Sequence, residues 1–174
     1  MLQATFCCVP EELQPLFVDA LKLVSQHLGI AAYNATVKFH LAPPGYTTKP
    51  GTREGGHMSP SLTSENEARV KQGQPPNQYD ISITVDLPER MILSFAHEAI
   101  HLRQWLTGTL STKVLRKVKT KDATLEDKRL YFHGTPIDIT QIKYKDMPWE
   151  DEAHTKMWAV GKWLIQALNK NANF

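Results

Sequence analysis

A chain of 174 residues is long enough to bury one apolar core and too short for two independent domains of ordinary size. Its 41% hydrophobic and 22% charged residues exclude a disordered or fibrous chain. The net charge of +2, with basic residues scattered apart from the short run Lys113, Arg116, Lys117, Lys119 and Lys121, leaves no footprint for nucleic acid.

The only cysteines, Cys7 and Cys8, are adjacent and have no further thiol to pair with, so no intrachain disulfide framework is expected. Met1 to Phe6 carries neither a basic segment nor a long apolar one, and no stretch approaches the ~18 apolar residues of a membrane span. The expectation is a soluble, cytoplasmic protein with no membrane partner.

In chain order, Leu13, Leu16, Phe17, Ala20, Leu21, Val24 and Leu28 recur at three- and four-residue spacing after Pro10-Glu11-Glu12, which predicts an amphipathic helix closed by Gly29. Thr36 to Leu41 alternates polar and apolar residues as a half-buried strand does. Residues 42–78 hold six of the eleven prolines and five of the nine glycines, with little periodicity beyond 64–72. They are expected to form a long loop or insertion, a lid or a plain excursion, with His57 and Met58 exposed in it.

Tyr79 to Asp86 alternates cleanly and predicts a second strand. Pro88 then opens a helix that carries Met91, Ile92, Phe95, Ala99, Leu102 and Leu106 and meets Gly108 at its end. Lys113 to Lys119 and Lys128 to Ile139 suggest a short hairpin or irregular strands. From Met147 the chain reads as helix, with Ala153, Met157, Val160, Trp163, Leu164, Ala167 and Leu168 on one face. Trp105, Trp158 and Trp163 are expected to be core or half-buried aromatics, and Trp149 to pack against the hairpin.

The chemistry sits on the middle helix, where His97-Glu98-Ala99-Ile100-His101 forms an H-E-x-x-H motif. Residues four apart project from one helical face, so His97 and His101 can reach the same zinc ion, at about 2.0–2.1 Å. Glu98, directly after the first ligand, is placed to accept a proton from water activated by that metal.

A catalytic zinc site needs a third protein ligand and an open position. A metzincin would supply glycine at 104 and histidine at 107, but Gln104 and Thr107 stand there. The suggestive stretch is Pro148 to His154, with Glu150, Glu152 and His154 as candidates beside His133 in the hairpin region. Glu150, Ala153, His154 and Met157 share one helical face. Tyr144, six residues before Glu150, is a candidate donor to an oxyanion.

H-E-x-x-H followed by Glu-x-x-Ala on a second helix, here Glu150 to Ala153, resembles the gluzincin class of zinc peptidases. The Pro-Trp-Glu-x-Glu-Ala form over Pro148 to Ala153 is similar to small single-domain members common in bacteriophage and prokaryotic genomes. The resemblance covers roughly 79–163, about half of the chain. It implies Glu150 as the third ligand, Ala153 as a close packing contact, and one zinc ion. Many members have aspartate where this chain has His154, which leaves the groups around the ligands open.

The expected fold is α+β and zincin-like. A single domain over 1–174 would set a small mixed or antiparallel sheet on the H-E-x-x-H helix and on a C-terminal helix bearing the glutamate. Gluzincin-like folds bind an extended peptide along an edge strand, and 79–86 or 129–134 could offer that edge. The expected activity is a zinc-dependent endopeptidase acting on a peptide or protein, and the resemblance implies a phage-like origin. The alternatives are a catalytically idle zinc-binding or virion-associated interaction module, and a metal-free domain that works through its long loop.

Overall fold

The computed structural model describes residues 1–43, 55–119 and 124–171. Residues 44–54 of the expected loop and Lys121 of the basic run lie outside the described residues. The architecture is mixed α+β. A four-stranded sheet has the order β1 (Leu2–Cys7), β2 (Ala35–Ala42), β4 (Gln78–Thr84), β3 (Gly56–Pro60), and a three-stranded sheet has the order β5 (Leu110–Lys119), β6 (Thr124–Phe132), β7 (Thr135–Ile137). Four α-helices complete it: α1 (Gln14–His27), α2 (Ser64–Lys71), α3 (Pro88–Leu106) and α4 (Pro148–Asn171).

β1, β2 and β4 are parallel, and β3 adds antiparallel to β4. Parallel strands need a crossover connection, which α1 supplies between β1 and β2. The inward residues Val37, Phe39, Tyr79, Ile81 and Ile83 are at most 1% exposed, as the period-two pattern requires. On the helical layer beneath them, Phe17 of α1 and Phe95 of α3 meet Phe39 of β2 at ring-centroid distances of 5.2 and 5.7 Å. These rings join both helices to the sheet.

Within 42–78 the chain builds β3 and α2. Met58 is therefore a core residue at 7% exposure, against the expectation of an exposed loop side chain, while His57 points outward. Buried Asn66 ties the segment down. Its amide nitrogen donates to the carbonyls of Ser61 and Gln78 at 2.9 and 2.7 Å, and its Oδ1 accepts from the Asn77 backbone at 2.9 Å.

Two edge assignments are corrected. Residues 79–86 include β4, which is flanked by β2 and β3, and residues 129–134 include the end of β6, which lies between β5 and β7. The edge of the larger sheet on the side of α3 is β3.

Helix α3 starts at Pro88 and is followed by Gly108 at φ 73°, the left-handed conformation that suits glycine after a helix end. It packs along α4, where Gly161 faces Leu93: a Cβ there would lie 2.5 Å from Leu93 Cδ2. Glycine inside a helix costs about 1 kcal/mol relative to alanine, and here it permits a close helix approach. Gly161→Val is expected to push the helices apart and lower stability by about 1–3 kcal/mol, read as a reduced denaturation midpoint in urea.

Candidate metal and catalytic site

One turn of α3 separates His97 from His101, and their Nε2 atoms converge to 3.0 Å. From the first turn of α4 the Glu150 carboxylate reaches both rings, Oε2 at 3.4 Å from His97 Nε2 and Oε1 at 3.4 Å from His101 Nε2. Donor atoms held tetrahedrally by one ion at about 2.0–2.1 Å stand about 3.3–3.4 Å apart, so three side chains from two helices already have the spacing of a small cation's ligands. His154 adds a fourth candidate. His97, Glu150 and His154 form a group whose ligand atoms lie within 4.8 Å of one another and could hold a metal ion.

The electrostatics follow from burial. Glu150 is 2% exposed. Burial alone would raise its carboxyl, but hydrogen bonds from His101, His97 and Tyr144 and the charge of His101 outweigh that and hold it well below the usual carboxylate range. Burial also disfavours the charged imidazoles. His97 is held below the ordinary histidine value despite Glu150, whereas at His101 the Glu150 hydrogen bond and the nearby charge of Glu98 win and raise it. His97 Nδ1 is buried with no hydrogen-bond partner among the described residues, a group that asks for a ligand or water.

His101 is held on its other side. Its Nδ1 donates to Gln104 Oε1 at 2.8 Å, and Gln104 Nε2 donates to the Trp149 carbonyl and to Glu152 Oε2, both at 3.0 Å. This fixes Nε2 of His101 as the nitrogen facing Glu150. Gln104 is fully buried, so its three-point anchorage is part of the core.

Glu152, weighed as a ligand, is therefore placed behind His101 rather than before it. It also pairs with Lys156 and lies 3.5 Å from Arg103. His133 is likewise elsewhere, in the β6–β7 turn at φ 48° with its ring against Phe132.

Glu98 is buried at 4% exposure and lines the same cavity as His97, Glu150, Tyr144 and His154, a space of about 670 Å³. Tyr144 sits in a short 3-10 turn before α4, 47% exposed. The structure thus brings His97, Glu98, His101, Tyr144 and Glu150 to one place. Ala153 is fully buried in the core, and Trp149 lies 6.3 Å from the Phe132 ring of β6.

Gly55, Gly56, Gln104 and Trp158 are among the residues at the site to which the sequence assigns no role there. A Cβ on Gly56 would lie 3.0 Å from both Cγ and Oε1 of Glu98, and one on Gly55 would lie 2.4 Å from Ser94 Oγ, so glycines let β3 pass over α3 without displacing Glu98. Trp158, expected to be at least half buried, is 54% exposed on the cavity wall, because its α4 position is two residues off the buried Val160 face.

Comparison of the chain with known protein families, with curated proteins and with solved structures finds no match in any of the three. Among the described residues no helix is long and apolar enough to cross a membrane.

Gln104→Met keeps the buried volume but removes the acceptor for His101 Nδ1–H. Retention of a divalent metal is expected to weaken about 10- to 100-fold with folding preserved, measured by competition against a chelating dye together with circular dichroism.

Proposed function

We propose that this chain is a zinc-dependent endopeptidase of zincin-like fold, akin to the gluzincins, with His97, His101 and Glu150 holding the metal. The observation that carries this reading is the convergence of the two Nε2 atoms and the Glu150 carboxylate, at 3.0–3.4 Å, on a cavity that Glu98 also lines. The donor set suits zinc: two imidazoles and one carboxylate leave a fourth position, the pattern of catalytic rather than structural zinc.

A zinc ion held there supplies Lewis-acid polarisation of a carbonyl and acidifies water. The remaining work belongs to the chain. Glu98 accepts a proton from the attacking water at its carboxylate and returns it to the leaving amine nitrogen as the C–N bond breaks. Gly56 keeps the space that Glu98 needs. Tyr144 lines the same cavity, and its hydroxyl, which donates to Glu150 in the metal-free chain, would turn to the oxyanion that forms at the former carbonyl oxygen. Gln104 and Glu152 fix the tautomer of His101 from behind. An extended substrate would lie along β3, the edge strand nearest Glu98, rather than along either segment expected from the sequence.

Elemental analysis should find one zinc per chain in the wild type and in Glu98→Gln, while cleavage of unfolded casein falls at least about 100-fold in the variant. Glu150→Ala should lose the metal, and Glu152→Ala should retain more of it. Zinc bound without cleavage by the wild type would favour an idle binding module, and failure to bind zinc would sink the proposal.

Acidification should unload the metal. Zinc must displace a proton from His101, whose value in the metal-free protein is raised above the ordinary 6.5, so affinity is full at high pH and falls as pH drops toward and below neutrality. Chelator competition at several pH values reads this directly, and a flat profile between pH 8 and 6 would contradict it.

A further inference from the structure

β3 leads away from the catalytic cavity to a second cleft. Thr84 N donates to the Gly55 carbonyl and Ser61 N to the Gln78 carbonyl, in a register that runs from Gly56 opposite Ile83 to Pro60 opposite Tyr79. Antiparallel pairing alternates, so the odd residues 55 to 61 turn their backbone groups toward β4, and Gly56, Met58 and Pro60 turn theirs away from it. Pro60 has no N–H, so the outward row of donors stops there.

Just beyond Pro60 opens a cleft of about 810 Å³ whose lining includes Leu62, Val70, Trp105, Val114, Leu130 and Ile139. The Leu62 side chain is wholly exposed and Ile139 is 48% exposed, so apolar surface is on offer. Trp105 follows His101 by four residues, one turn along the same face of α3. Cleft and catalytic cavity are therefore neighbours along both a strand and a helix. Gly56, beside Glu98, and Pro60, at the cleft, are four residues apart, about 13 Å of extended chain.

We propose that this cleft binds an apolar side chain of an extended peptide substrate, three or four residues to the N-terminal side of the bond that is cut. The occupant follows from the strand that joins the two places: outward backbone groups accept an extended backbone, and such a backbone carries side chains to both ends. Antiparallel addition is the more stable pairing. A guest strand in that sense passes Pro60 first and Gly56 later, so the residue in the cleft precedes the scissile bond. This rests on the reading of the site as a peptidase, and it narrows the substrate class to segments with a large aliphatic or aromatic residue at that spacing.

The test uses ten-residue fluorogenic peptides of alanine and serine in which one leucine is moved through successive positions. Hydrolysis by the zinc-loaded wild type is followed with the cut bond located by mass spectrometry, and binding of fluorescein-labelled versions to zinc-loaded Glu98→Gln is followed by anisotropy. A rise of roughly tenfold or more, in kcat/KM and in affinity, is expected when leucine stands three or four residues before the cut bond, the worth of burying one such side chain. Leu62→Glu, at a side chain too exposed to matter for folding, and Val70→Asp should erase that preference while hydrolysis of the leucine-free peptide is unchanged.

A flat profile, or a preference that survives both variants, would overturn the proposal. Leucine-dependent binding that Leu62→Glu removes, with no peptide cut, would keep the cleft and remove the peptidase reading. Neither binding nor cutting would remove both, and dimerisation abolished by Leu62→Glu would give the cleft to a second copy instead.

Discussion

A carboxylate with 2% exposure stays ionised only where hydrogen donors surround it, and Glu150 obtains most of its donors from another helix. His97 and His101 belong to α3, so the separation of α3 from α4 decides whether that charge is compensated or stranded. Small residues set the separation. Ala153 follows Glu150 by one turn and is fully buried, and Gly161 lies two further turns along, where a Cβ would meet the Leu93 side chain. Phe17, Phe39 and Phe95 then fix α3 against the sheet, so helix spacing and sheet position are one packing problem.

The opposite wall of the cavity depends on the same economy of volume. β3 crosses close above Ser94 and Glu98 because residues 55 and 56 are glycines, and it is held in register by β4 and by the Asn66 clamp at its far end. The floor of the site is therefore two packed helices, and its rim is a strand whose conformation is set from both sides. Between floor and rim, polar groups with depressed or raised proton affinities face one space, which is how a small fold prepares ionised and hydrogen-donating groups without exposing all of them to water.

Much of this is local in sequence and was legible there. The four-residue interval of His97 and His101 is a property of any helix, the apolar periodicity of 88–106 defines that helix, and Pro88 and Gly108 bracket it. Glu150 and Ala153 share a face for the same reason. What could not be read is what depends on neighbours. The alternation of 79–84 predicts a strand but not that strands on both sides cover it, so the edge was misplaced. β1 went unrecognised because six residues of mild alternation gain their stability from pairing with β2. Gly56 has no side chain to announce a role, and its importance exists only once Glu98 lies beneath it. Gln104 reads as one more polar residue near a helix end until Glu152 and the Trp149 carbonyl arrive from α4.

Pro60 has a consequence for solubility. A strand edge that can accept a guest backbone is also a template on which copies of the same chain can polymerise into extended β-structure. β3 is only five residues long and ends in a residue that cannot donate to such a ladder, while exposed His57 adds a polar side chain to its surface. The stretch over which a like strand could propagate is thus brief, and the shortness of β3 together with its terminal proline restrains edge-to-edge pairing into fibrils.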